Sequence, residues 1–146
     1  LTPKAMTAYI SADDTVRQGL EVMRHHGYTA IPVLSEHGEY IGCITEGDFL
    51  RHILACGNCS IKNQERYRIS DLVRRDFCPP LGITASDDEV IDALLQQNFV
   101  PIVDDRGCFC GIVTRRSVLA ELAGVKMAPC LWHGADYFAL TLRRSA

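Results

Sequence analysis

The sequence predicts an α+β (α/β) fold built from two copies of one strand–helix–strand–strand–helix unit. Three echoes along the chain predict it. Ser11-Ala12-Asp13-Asp14-Thr15-Val16 is answered by Ala85-Ser86-Asp87-Asp88-Glu89-Val90. Ala30-Ile31-Pro32-Val33-Leu34 is answered by Val100-Pro101-Ile102-Val103, and Gly42-Cys43-Ile44-Thr45 by Gly111-Ile112-Val113-Thr114. The aspartate pairs stand 74 positions apart, and the prolines, glycines and threonines 69 apart. That difference implies that the second copy has lost five positions around its first helix. Repetition of several special residues in one order marks a duplicated structural unit.

Each element has a local reason. Asp13-Asp14 and Asp87-Asp88 stand where helix N-caps belong, ahead of the apolar spacings Val16, Leu20, Met23 and Val90, Ala93, Leu94. Gly27 follows His25-His26 and suits a left-handed helix end. Ile31-Pro32-Val33-Leu34 and Ile102-Val103 read as short buried strands. His37-Gly38 and Arg106-Gly107 read as tight turns into second strands, Tyr40–Ile44 and Phe109–Val113. Thr45 and Thr114 then cap helices carrying Phe49, Leu50, Ile53 and Val118, Leu119, Leu122. A unit of about 50 residues is too small for a comfortable core of its own, so the copies are expected to pack together.

The divisions expected are a first repeat at 1–55, a polar linker at 56–68, a second repeat at 69–123 and a tail at 124–146. Ile69-Ser70-Asp71-Leu72-Val73 opens the second repeat as a short helical turn. In the tail, Leu131, Phe138 and Leu142 fall on one helical face that Gly134 interrupts, and the stretch from Trp132 to Leu142 is a candidate cover for a neighbouring chain.

Composition narrows the function classes. The 146 residues are 47% hydrophobic and 23% charged, which is a globular composition. A net charge of −3 argues against a general nucleic-acid footprint. No apolar run approaches the roughly 18 residues a membrane span needs. A start at Leu1 rather than Met suits a piece of a longer chain. The seven cysteines are odd in number and sit mostly in apolar runs, so reduced thiols in the cytoplasm are expected rather than a disulfide framework. Cys56-Gly57-Asn58-Cys59 has the spacing of a metal half-site, but His52 and one of Cys108 or Cys110 leave the set incomplete, and no metal is expected. No nucleophile–base pair, acid–base carboxylate pair or Walker loop is present, so no enzyme is expected.

The duplicated Asp-Asp lead-in, the run Gly27-Tyr28-Thr29-Ala30-Ile31-Pro32-Val33-Leu34, and the Gly-x-x-Thr strand ends at 42–45 and 111–114 resemble the CBS domain. The pair resembles a tandem CBS (Bateman) module over roughly Thr2 to Leu122. The resemblance implies a flat disc with pseudo-two-fold symmetry, adenine-nucleotide clefts between the repeats, and a homodimer. Tyr28-Thr29-Ala30, together with Gly111 to Arg116, looks like the stand-alone CBS-pair receptors of Gram-positive bacteria. Those bind cyclic di-AMP and also AMP, and they dock on effectors such as a (p)ppGpp synthetase or pyruvate carboxylase.

Carried onto this sequence, Ala8, Tyr28, Thr29 and Ala30 supply base and backbone contacts. Thr45 and Thr114 open helices whose free N–H groups attract phosphate. Asp48 is placed for a ribose, whereas the second repeat has Ser117 there. Arg115 and Arg116 are cations at a helix start, which the helix dipole disfavours unless an anion is present. The expected site therefore sets the base against 28–30 and the phosphates on Thr114, Arg115 and Arg116. Arg74-Arg75 reads as solvated surface. The competing expectations are an AMP or ATP sensor and a structural dimerisation module with empty clefts.

Overall fold

The computed structural model describes residues 1–124, so the face expected from Leu131, Phe138 and Leu142 and the Trp132-to-Leu142 cover lie outside the described residues. The elements are β1 (Thr2–Pro3), β2 (Ile10–Ser11), α1 (Val16–His26), β3 (Ala30–Leu34), β4 (Tyr40–Thr45), α2 (Glu46–Cys56), β5 (Leu81–Gly82), α3 (Asp87–Gln96), β6 (Phe99–Val103), β7 (Phe109–Thr114) and α4 (Arg115–Leu122). From β2 to α2 and from β5 to α4, the chain repeats strand–helix–strand–strand–helix.

Thr15 and Ser86 start the first helices, not the aspartates beside them. Thr15 Oγ1 accepts from Gln18 N at 3.2 Å while Gln18 Oε1 accepts from Thr15 N at 2.8 Å. Ser86 and Glu89 make the same reciprocal pair at 3.3 and 2.8 Å. Asp14 instead turns back to accept from Ser11 N at 3.0 Å. Asp87 and Asp88 lie inside the first turn of α3, where negative charge suits the helix dipole. The true partners Thr15 and Ser86 are 71 apart, against 69 for the prolines, so the second copy is two residues shorter, not five. One residue is missing from the helix and one from the turn behind it. Gly27 closes α1 at φ 64°, donating its N–H to Met23 O at 2.8 Å.

The two hairpins share a register. Val33 faces Gly42 and Ile102 faces Gly111, and each hairpin has an irregularity one step later, at Val33/Leu34 and Ile102/Val103. The sheets are β2-β3-β4 and β1-β7-β6-β5, with β2 and β5 parallel to their neighbours.

The repeats exchange their lead-in segments. Strand β1 pairs antiparallel with β7, setting Pro3 against Gly111. Reciprocally, Arg74 bridges Cys43 on β4, and Arg68 bridges Thr15. A Cβ on Gly111 would lie 2.2 Å from Thr2 O, and one on Gly42 would lie 2.6 Å from Arg74 O. Both glycines are therefore needed for close backbone approach. The turn Ile69–Asp71 forms as expected, but Ile69 is fully buried in the first repeat's core with Ile10, Val16, Ile31, Ile44 and Phe49. The sequence boundary at 69 is thus not a packing boundary.

The hairpin turns meet around a local two-fold. Tyr40 N donates to Gly107 O at 3.0 Å and Phe109 N to Gly38 O at 2.9 Å. These are equivalent bonds under the 69-residue offset. The Tyr40 and Phe109 rings stack above them at 6.2 Å.

The linker is also built in. Its turn Ile61–Arg66 buries Gln64, whose Oε1 lies 2.9 Å from His52 Nε2. The cores are unequal: the second repeat's cluster has Leu94, Val100 and Ile102 as its buried members, and α4 buries none of its side chains. Among the described residues, no helix is long and apolar enough to cross a membrane.

Candidate functional site

Strand register assembles the first group of expected residues. Ala30 is the pairing partner of Thr45, and Glu46 N donates to Thr29 O at 3.1 Å, so 28–30 lie directly against the start of α2. The Tyr28 ring is half-buried, stacks on His26 at 5.3 Å, and has the Ala8 backbone at its hydroxyl. Burial pushes the Tyr28 hydroxyl's pKa up. Ala8, Tyr28, Thr29, Ala30, Thr45 and Asp48 therefore gather at one end of the first sheet.

Asp48 is 7% exposed and its carboxylate is filled. Oδ2 accepts from Thr45 N at 2.8 Å and from Thr45 Oγ1 at 2.7 Å. Oδ1 faces Arg51 Nη2 and, at 2.9 Å, Arg74 Nε. Burial works to raise its pKa, but the Thr45 bonds and the two arginines outweigh that and hold it below the usual carboxylate value. The expected open ribose acceptor is thus a buried capping-box carboxylate paired with two cations. Arg74, expected on the solvated surface, belongs to this group; its guanidinium lies 3.7 Å from the centre of the Phe77 ring.

A depressed carboxylate pKa contributes stability above the unfolded value, about 3.9, and loses it as pH falls through the folded value. Asp48→Asn is expected to cost about 1–2 kcal/mol at pH 7, limited because Arg51 and Arg74 are partly solvated. The gap from wild type should close below about pH 4. Urea melts from pH 3 to 7 measure it, and a gap independent of pH would refute the ionic role.

The second group repeats the frame with different chemistry. Phe99 pairs with Thr114, and Arg115 N donates to Asn98 O at 3.0 Å, as Glu46 does to Thr29. Ser117 shares a capping box with Thr114: its N–H donates to Thr114 Oγ1 at 3.1 Å. Arg115 is not a free phosphate ligand. Its Nε and Nη2 donate to Leu94 O at 2.9 and 2.7 Å, and Nη2 reaches Gln97 O at 3.3 Å. A cation there satisfies the C-terminal carbonyls of α3, which ends at Gln97 in an extended conformation without the glycine that closes α1. Arg116 is exposed and makes no ion pair among the described residues.

Strand pairing joins a base-side segment to a helix start within each repeat. Thr45, not Thr114, stands beside Ala30, and each base-side segment meets the helix start of its own sheet. Sequence reasoning missed Arg51, Arg74, Gln97 and Asn98. Arg51 had a readable signal, three residues beyond Asp48 on the same helix face. Two concavities, of about 330 and about 420 Å³, lie elsewhere: one is lined by residues such as Lys4, Tyr9 and His37, the other by residues such as Gln18, Glu21 and His25. Among the described residues, no three His, Cys, Asp or Glu are grouped to hold a metal ion.

The CBS-domain family profile matches residues 5–55 and 69–124. This chain belongs to the CBS-domain family. Its CBS pair is 27% identical over 115 residues to Cyclic di-AMP receptor B of Bacillus subtilis, covering 79% of this chain and 78% of that protein. It is 31% identical over 103 residues to a Methanopyrus kandleri protein, covering 66% of this chain and 48% of that one. The CbpB protein of Listeria monocytogenes in complex with c-di-AMP superposes with a TM-score of 0.76 at 26% identity, covering 85% of this chain and 92% of that one. This CBS pair thus spans about half of the archaeal relative and most of the two bacterial ones.

Proposed function

We propose that this CBS pair is a regulatory receptor for an adenine nucleotide, first of all cyclic di-AMP, and that it passes ligand state to a partner protein without turning the nucleotide over. The observation that carries the reading is likeness along most of both chains to a cyclic di-AMP receptor. The site chemistry supports it. In the first CBS repeat, Tyr28, Thr29 and Ala30 offer an edge for a base, and Thr45, Arg51 and Arg74 offer phosphate donors. In the second repeat, Thr114 and Arg116 take the phosphate role, and Arg115 does not. Guanidinium pairs suit phosphate because they donate in parallel.

AMP or ATP is the second reading. Arg51 and Arg74 concentrate cations at one repeat, which suits a mononucleotide. A dimerisation module with empty clefts is the third. The exposed leucines Leu50, Leu54, Leu119 and Leu122 on α2 and α4 support a homodimer. A cytoplasmic setting, and an effector such as a (p)ppGpp synthetase or pyruvate carboxylase, belong to the same proposal.

A thermal-shift panel of cyclic di-AMP, AMP, ATP and cyclic di-GMP tests it. A ligand at 100 times its Kd adds about 2.7 kcal/mol of stability. Cyclic di-AMP is expected to give the largest shift. Arg116→Ala should weaken its binding about tenfold or more through loss of a charge-assisted contact. Arg115→Ala should lower stability by about 1 kcal/mol and leave affinity unchanged. A larger shift with AMP or ATP selects the second reading, and no shift with any nucleotide selects the third.

A further inference from the structure

We propose, on the basis of that receptor reading, that Asp48 is a positioning residue whose buried carboxylate gathers Arg51 and Arg74 into one clamp for the ligand's phosphate. Both guanidiniums meet the same oxygen. Arg51 Nη2 contacts Asp48 Oδ1 from three residues further along α2. Arg74 Nε lies 2.9 Å from that same atom, and it comes from the segment that crosses to the first sheet. The other oxygen, Oδ2, accepts from Thr45 N and Thr45 Oγ1. The Asp48 side chain is 5% exposed, against 64% for Arg51 and 41% for Arg74. An approaching anion therefore meets the two cations and not the carboxylate behind them.

Each guanidinium is also held on a second side. Arg51 folds back over the first turn of α2, where a Cβ on Gly47 would lie 3.3 Å from Arg51 Nη1. Arg74 lies against the Phe77 ring, and its backbone N donates to Cys43 O at 3.1 Å. Arg74 Nε is buried without an aligned hydrogen bond, so charge attraction to Asp48 is what holds it there. Without Asp48 the two cations repel, and each loses its fixed place. Guanidiniums aimed at one spot before the ligand arrives save the cost of ordering them on binding. They then donate to phosphate in parallel. The second repeat is built from other residues. At the 69-residue spacing that joins Thr45 to Thr114, Gly47, Asp48 and Arg51 become Arg116, Ser117 and Ala120. The carboxylate and the cation one turn beyond it are both replaced, so gathering of this kind is confined to the first repeat.

The test measures inorganic pyrophosphate binding by calorimetry in the full chain carrying Arg116→Ala, so that the first repeat's cations report. Pyrophosphate has neither ribose nor base. Asp48→Asn removes a negative charge, so charge alone predicts tighter binding, and a lost ribose contact predicts no change. Lost positioning instead predicts binding weaker by about fivefold. The Asn side-chain oxygen can still accept from Thr45 N, which keeps the helix cap. Gly47→Ala retains every charge, displaces only the end of the Arg51 side chain, and should weaken binding about threefold. It decides if Asp48→Asn fails to fold. Asp48→Asn combined with Arg51→Ala should lose less than the product of the two single losses, because both act on one clamp. A full product would mean that Asp48 acts through the helix cap alone, and it overturns the proposal. Unchanged or tighter binding in Asp48→Asn or Gly47→Ala also overturns it, as does the absence of pyrophosphate binding before either substitution. Cyclic di-AMP binding without pyrophosphate binding removes the clamp and leaves the receptor reading standing. Pyrophosphate binding that follows the expected pattern, with no response to any nucleotide, does the reverse.

Discussion

Ile69→Ala is expected to destabilise the protein by about 3 kcal/mol, the size seen when a fully buried branched side chain is truncated. The loss should fall on the first repeat, although residue 69 opens the second in sequence. Its side chain has no exposure, and a Cβ on Gly19 would lie 2.5 Å from Ile69 Cδ1 and 3.1 Å from Phe49 Cζ. The site cannot collapse to fill the hole, because the backbone around it is pinned. Val16 N donates to Tyr67 O at 2.9 Å, Ile69 N to Asp14 O at 2.9 Å, and Ser70 N to Ala12 O at 3.0 Å. Urea denaturation gives the magnitude and amide exchange gives the location. Protection should fall at residues such as Ile10, Ile31 and Ile44 before Val100 and Ile102. A loss under about 1 kcal/mol, or one confined to the second repeat, would mean that the crossing segment does not pack as described.

What was legible in the sequence follows the range of the forces involved. The hairpins were legible because Pro32, Gly42 and Thr45 reappear as Pro101, Gly111 and Thr114 at a constant spacing, and turn chemistry acts over a few residues. The caps were misplaced for a related reason: aspartate caps a helix as well as threonine does, so Asp14 and Thr15 compete, and the reciprocal Gln18 bond decides for Thr15. The candidate site was legible in part. Ala30 pairs with Thr45 and Thr29 O accepts from Glu46 N, since strand register carries those segments together. Arg115 was misread because only its own helix was considered: two cations at a helix start imply an anion, unless the carbonyl end of another helix lies within reach. Here the end of α3 does, at Leu94 and Gln97. Arg74 was misread because no local pattern marks a segment that crosses to the other sheet.

That exchange of segments makes a second large effect, and an asymmetric one, expected from two matched substitutions. Gly42→Ala should cost about 2–3 kcal/mol, and Gly111→Ala about 1 kcal/mol, although the closer clash is at Gly111. A Cβ at Gly111 would lie 2.2 Å from Thr2 O, but β1 is only two residues long and pairs with β7 at two positions. Its displacement costs only those two ladder pairs. A Cβ at Gly42 would lie 2.6 Å from Arg74 O and 3.0 Å from Val73 Cγ2. The crossing segment it displaces cannot leave freely. It is held on one side by Ile69 in the first core and on the other by Cys78 between the two sheets. Moving Arg74 also withdraws a cation from Asp48, so the cap of α2 should loosen with it. Chemical denaturation of the two variants side by side measures the difference. Equal losses, or a larger loss at Gly111, would show that the crossing segment at 68–78 is no more firmly anchored than β1. The expected order instead places the mechanical link between the repeats at residues 68–78, the stretch that touches the Thr45 site through Arg74 and the second sheet through Cys78.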